Sequence, residues 1–130
     1  MSLGEPFTVS IRYFFDTYAL IEIRKGNNAY SKYLDEAFFI TLLNLFEFHQ
    51  YLLRVGDEND ADLEVKALSL QTIEFGIETV KKASKFRSKH RNKGLSMTDC
   101  IGYVHAMEND LLFLTGDKEF KGLPNVEFVK

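Results

Sequence analysis

The sequence predicts an α/β fold built on a largely parallel sheet with helices on both faces. Two observations carry that prediction. Strand-like and helix-like stretches alternate along the chain, the order that βαβ crossovers impose. The strand-like stretches are also continuously apolar instead of alternating with polar residues, as strands buried on both faces require.

The elements follow in order. Residues 11–15 (Ile11-Arg12-Tyr13-Phe14-Phe15) are short and mostly β-branched or aromatic, which suits a buried strand. Residues 17–24 read as a helix with Asp16 at its start, stopping near Lys25-Gly26-Asn27-Asn28. A second, short helix is expected over 29–36 and a second buried strand over 38–41. From residue 42 the spacing turns helical and runs to 55, where Gly56 ends it. Asp57-Glu58-Asn59-Asp60 forms a turn that opens another helix over 61–68. Ile73, Ile77, Val80 and Ser84 predict one long helix over 70–90 despite Gly76. Its last two turns are basic, a favourable place for cations at a helix C-terminus. Asn92-Lys93-Gly94 closes it. Ser96 and Asp99 match a capping box that opens a helix to residue 109. Residues 111–115 form a third strand, 116–124 a loop with a short turn, and 126–129 a final edge strand.

With 130 residues, 45% of them hydrophobic, the chain is expected to form one domain with a real core. Residues 1–10 are set apart as a flexible N-terminal segment. The single Cys100 excludes an internal disulfide framework and a multi-cysteine zinc site, and points to a reducing, cytoplasmic setting. No apolar run reaches the roughly 18 residues that span a bilayer. The net charge of −3 argues against a general nucleic-acid coat. Yet seven cations and no acids lie between residues 81 and 93, leaving a local basic arm.

Four acids interrupt apolar sequence where solubility does not ask for a charge. They are Asp16 after the first strand, Glu47 within Leu45-Phe46-Glu47-Phe48, Asp99 opening its helix, and Asp117 after the third strand. A carboxylate near a core is costly unless something pairs with it. In open parallel sheets, ligands sit beyond the carboxyl ends of the strands, and that edge is within reach of all four. Carboxylates at close range raise one another's pKa, a penalty that a shared divalent cation removes. With oxygen ligands only, the natural ions are Mg²⁺ or Mn²⁺. Such an ion can activate water against a phosphodiester.

Each acid also has an ordinary reading. Asp16 can serve as the N-cap of the following helix, Asp99 as the capping-box partner of Ser96, and Asp117 as a turn residue. Glu47 is the hardest to dismiss, with Leu43, Phe46, Phe48 and Leu53 around it. His105 reads as a satisfied packing residue and Cys100 as a small buried one. Neither His49 nor His90 makes a convincing acid–base group. Phe86, at helical spacing, reads as core before it reads as a base-stacking platform.

Four segments together resemble the PIN-domain family, particularly its small VapC-type toxin members. They are Phe15-Asp16-Thr17-Tyr18-Ala19-Leu20, Asn44-Leu45-Phe46-Glu47, Thr98-Asp99-Cys100-Ile101 with Ala106, and Leu114-Thr115-Gly116-Asp117-Lys118-Glu119-Phe120. Each is weak alone, and their order and spacing are what make the resemblance specific. It implies a three-layer α/β/α fold and metal-dependent endoribonuclease activity. The acidic quartet would be Asp16, Glu47, Asp99 and Asp117, accompanied by the hydroxyl of Thr115 and with Thr17 as a second polar contact. It further implies a homodimer inhibited by a small antitoxin protein. The basic run departs from the toxin pattern, and PIN domains also serve in RNA processing without an antitoxin.

The expected function is therefore a Mg²⁺- or Mn²⁺-dependent ribonuclease, with Lys85, Arg87 and Lys89 guiding RNA phosphates. The competing expectation is a non-catalytic α/β module that binds RNA or protein and keeps a vestigial acidic pocket.

Overall fold

The computed structural model describes residues 10–130, so the N-terminal segment set apart above lies outside it except for the exposed Ser10. Ile11 and Arg12 are also exposed, and the first strand is shorter than expected: β1 spans Tyr13–Phe15. It lies between β2 (Phe38–Phe39) and β3 (Leu112–Thr115), and β4 (Val126–Phe128) flanks β3. All pairings are parallel, in the order β2-β1-β3-β4.

Alternate residues of β1 enter different cores, as the period of two in a strand requires. Tyr13 and Phe15 pack with Leu20, Leu45, Phe48 and Leu52, beneath α1 (Thr17–Arg24), α2 (Leu42–Val55) and α3 (Glu58–Leu68). Phe14 packs on the opposite face with Ile101, Tyr103, Val104 and Phe113, beneath α4 (Ile77–Lys89) and α5 (Met97–Glu108). The result is the expected three-layer α/β/α arrangement. α5 comes close to the sheet at Gly102, where an added Cβ would stand 2.9 Å from the Phe14 ring. That approach lets an almost wholly buried helix lie against β1 and β3, placing its first turn at the sheet edge where β1 and β3 end.

The long helix expected over 70–90 is corrected. A 3₁₀ turn covers Ser69–Gln71, residues 72–76 are not helical, and α4 starts only at Ile77 with Gly76 as its N-cap. Thr72 pairs in parallel with Ile40, through Ile40 N–H donating to Gln71 O at 3.1 Å and Ile73 N–H to Ile40 O at 2.8 Å. The open edge beside β2 thus offered backbone partners to a β-branched stretch, and Gly76 ended the competing helix. The helix expected over 29–36 is a 3₁₀ helix, Asn28–Tyr33, that buries Tyr30 and Tyr33. The second strand stops early because Thr41 is already the N-cap of α2. Among the described residues, no helix is long and apolar enough to cross a membrane.

Candidate active site

Parallel pairing of β1 with β3 brings their carboxyl ends side by side, and the site starts there. Asp16, immediately after β1, has extended backbone at the N-cap position of α1 and is 3% exposed. Its side chain does not cap the helix. Instead Asp16 Oδ2 accepts a 2.8 Å hydrogen bond from Thr115 Oγ1, at the end of β3. The Thr115 hydroxyl, fully buried, also accepts the Asp117 backbone N–H at 3.0 Å. One hydroxyl therefore ties two strand ends and two of the acids together.

The other three acids each engage one carboxylate oxygen as well, Asp117 and Asp99 locally and Glu47 across to another helix. Asp117 Oδ1 accepts the Glu119 N–H at 3.0 Å and caps the 3₁₀ turn Lys118–Phe120. Asp99 forms the anticipated capping box, its Oδ2 accepting Ser96 N–H at 2.8 Å while Ser96 Oγ accepts Asp99 N–H at 3.0 Å. Glu47 Oε1 accepts from Thr17 Oγ1 at 2.6 Å. Contrary to the sequence reading, Glu47 is not embedded among apolar side chains: Phe46 is 69% exposed and Leu53 is exposed too.

The electrostatics link all four. Burial, then the nearby Asp99 charge, push the Asp16 carboxyl up to about 8 against the pull of the Thr115 hydrogen bond, with Glu47 adding to the rise. Asp99 is raised as well, chiefly by burial and further by Asp117 and Glu47, while its Ser96 bonds lower it. Among the described residues, no Lys, Arg or His forms an ion pair with any of these acids. The bonds above engage one oxygen of each acid, and the Thr17 backbone adds a second hydrogen bond to Asp16. That donor set, hard oxygens without a cationic partner, is of the kind that suits a divalent cation. The cluster is open, because among the described residues no three His, Cys, Asp or Glu side chains converge tightly enough to hold one ion.

Behind Glu47 lies a polar chain absent from the sequence-level site. Asn44, fully buried, donates through Nδ2 to Thr17 Oγ1 at 3.1 Å and accepts through Oδ1 from the Thr41 backbone N–H at 2.9 Å and hydroxyl at 3.0 Å. Its signal was available: an amide within the otherwise apolar Leu42-Leu43-Asn44-Leu45.

The basic run divides. Lys85 and Lys89 line an open groove of about 480 Å³ between α4 and α5, with Phe86, Val104, Met107 and the ion pair of Lys82 with Glu108. Arg87 points elsewhere and donates through Nε to Leu95 O at 3.1 Å. Lys93 holds Glu119 O at 2.9 Å, beside Asp117. Phe86 packs on Tyr103, with ring centroids 5.0 Å apart, as a core residue should. His105 is buried as expected but not satisfied: Nδ1 lies 3.4 Å from Glu108 Oε1, whereas Nε2 has no partner. His49 pairs with Asp62 away from the quartet. Buried Cys100, its thiol pushed up to about 11 mainly by burial, is no nucleophile at neutral pH.

This fold occurs in solved structures of low sequence identity. A toxin–antitoxin complex from Klebsiella pneumoniae contains a chain 22% identical, with a TM-score of 0.71 over 88% of this chain and 95% of that one. VapBC2 from Rickettsia felis, bound to a DNA fragment from its promoter, gives 18% identity and a TM-score of 0.69 over 92% of this chain and all (100%) of that one. PAE2754 from Pyrobaculum aerophilum gives 20% and 0.63 over 90% and 86%. No curated protein matches the chain in sequence. The PIN domain profile, by contrast, matches residues 13–126, from the first residue of β1 to the first of β4 and across all four acids. On that profile match, which spans most of its length, the chain belongs to the PIN-domain family.

Proposed function

We propose that this PIN-like domain is a Mg²⁺- or Mn²⁺-dependent endoribonuclease that hydrolyses RNA phosphodiester bonds in the cytoplasm, as the toxin of a toxin–antitoxin pair. The observation that carries the reading is Asp16: buried, without a cationic partner, and beside three further acids. PIN domains are typically nucleases, and one of the structural neighbours is named as a toxin–antitoxin complex, another as VapBC2. A small antitoxin and a homodimeric state belong to the same reading.

Asp16, Glu47, Asp99 and Asp117 would hold the metal. When bound, the ion supplies a water of lowered pKa and neutralises charge on the phosphate. Thr115 keeps the Asp16 carboxylate aimed along the strand edge, and Thr17 does the same for Glu47. The capping box keeps Asp99 fixed at the first turn of α5. The open spacing of the acids favours a second reading, a non-catalytic RNA- or protein-binding module.

Cleavage separates the two. Asp99→Asn preserves an acceptor for Ser96 N–H, so the fold should survive. Hydrolysis of a generic single-stranded RNA in Mn²⁺ should fall at least about a hundredfold, the scale of losing a principal electrostatic group. Undiminished cleavage by a highly purified variant would sink the assignment.

Lys85 and Lys89 form the part of the basic run free to meet substrate, because Arg87 is committed to Leu95. The double variant Lys85→Gln/Lys89→Gln should weaken RNA binding and reduce the slope of log affinity against log salt by about 1–2, from about 0.7 counterions released per phosphate on a single strand. Arg87→Gln should instead lower the melting temperature. An unchanged salt slope for the double variant would make the groove a solvated face.

A further inference from the structure

We infer that Asn44 is a positioning residue whose buried carboxamide sets the direction of a hydrogen-bond chain that ends on Glu47. The inference rests on the proposed role of Glu47 as a metal-holding acid and deepens it.

The direction follows from donor and acceptor chemistry alone. The Thr41 backbone N–H can only donate, and it lies 2.9 Å from one end of the Asn44 amide. That end must be oxygen, so the amide cannot be flipped. Its nitrogen, which can only donate, then faces Thr17 Oγ1 at 3.1 Å. With one lone pair filled from Asn44, the Thr17 hydroxyl directs its single proton outward. The group waiting there, 2.6 Å away, is Glu47 Oε1. Thr41, Asn44, Thr17 and Glu47 thus form a one-way series of donors, each polarising the next.

Burial makes the series rigid. Asn44 and Thr41 are fully buried and Thr17 nearly so, so the bonds within the series are shielded from water up to the half-buried Glu47. The chain also spans two elements: Thr41 and Asn44 start α2, and Thr17 is the first residue of α1, directly after Asp16. It therefore fixes Glu47 relative to the strand edge that carries Asp16 and leaves Oε2 for the cluster. A simple helix cap would need only the bonds between Thr41 and Asn44. The Nδ2 bond to Thr17 has no part in capping, and it is what extends Asn44 toward the site.

Asn44→Leu and Thr17→Val, alone and combined, test this with two readouts. The first is a crystal structure of Asn44→Leu without added metal. It should show Glu47 released from Thr17 or spread over several rotamers, whereas an unmoved Glu47 overturns the inference whether or not the parent protein cleaves RNA. The second is the Mn²⁺ concentration for half-maximal cleavage. It should rise about tenfold in Asn44→Leu, the usual effect of losing an outer-shell partner, with turnover at saturating Mn²⁺ changed far less. Added to Thr17→Val, Asn44→Leu should cause no further rise, because the path is already cut. An equal rise in both backgrounds would mean that Asn44 only caps α2. If Asn44→Leu does not fold, Asn44→Asp keeps the acceptor for Thr41, lacks the donor to Thr17, and carries both readouts. A parent without metal-dependent cleavage would end the nuclease reading, leaving the structure of the variant to decide the role of Asn44.

Discussion

Asp16→Asn is expected to stabilise the metal-free protein at pH 8 while abolishing its response to Mn²⁺. The Asp16 carboxyl is raised from 3.8 to about 8, first by burial and then by Asp99. The folded state therefore keeps a proton that the unfolded chain releases. That contribution is fully present below about pH 3.8 and is lost as pH rises through the folded value near 8. Asparagine never ionises, and its side-chain oxygen still accepts the Thr115 hydroxyl. Between pH 5 and 8 the parent should lose stability steeply and the variant much less, with a gap at pH 8 of more than about 1.4 kcal/mol, the equivalent of one pKa unit. Asp99, raised as well, leaves the variant some residual slope in the same direction. Glu108 does not interfere: lowered to about 2 by its bonds to Lys82 and Thr79, it contributes above about 4.5 and loses that contribution only in more acid solution. Added Mn²⁺ should stabilise the parent at pH 8, since a ligand bound only by the native state shifts the folding equilibrium. Melting curves across this pH range, with and without Mn²⁺, give the result. Parallel curves for the two proteins would mean that Asp16 sits in the fold without strain.

Gly116→Ala is expected to be the most damaging single methyl that the site can receive. Gly116 lies between Thr115 and Asp117, and its backbone needs no left-handed conformation; the constraint is space. An added Cβ would stand 2.2 Å from Tyr18 Cε1 and 2.3 Å from Val129 O. A tyrosine ring can swing aside, but the Val129 carbonyl cannot easily follow. Tyr30 Oη donates to it at 2.5 Å, and Val129 N–H is itself bonded to Thr115 O at 2.9 Å. The chain must shift at Gly116, breaking the Asp117 N–H bond to Thr115 and turning Asp117 out of the cluster. The loss should be about 3 kcal/mol or more, at the upper end of overpacking effects. Gly94→Ala, where nothing lies within 4 Å, should stay within about 0.5 kcal/mol of the parent. Urea midpoints for the two variants make the comparison, and equal midpoints would show that the edge yields.

Tertiary context decided the features that local pattern misassigned. Residues 72–76 carry apolar spacing compatible with a helix, yet they became an extended stretch because Ile40, more than thirty positions away, offered backbone partners. Phe46 and Leu53 look buried in sequence, but the core-facing stripe of α2 runs through Leu45, Phe48 and Leu52. A run of apolar residues marks a helix without saying which way it turns.

The sequence by itself determined the alternating elements and the parallel sheet, because these depend on local periodicity, and it singled out the four acids as charges set against apolar sequence. The capping box at Ser96 and Asp99 was equally legible, since both partners lie within one turn. Only the tertiary structure decided what Asp16 and Glu47 do with their oxygens, because both bond residues far away in the chain. Asp16 looks like a helix cap from its neighbours, yet it bonds Thr115, 99 positions away, because parallel pairing sets the ends of β1 and β3 side by side. The role of Asn44 was hidden for the same reason. Its partner Thr17 lies 27 positions away on another helix, and a hydrogen bond between elements leaves no period in the sequence.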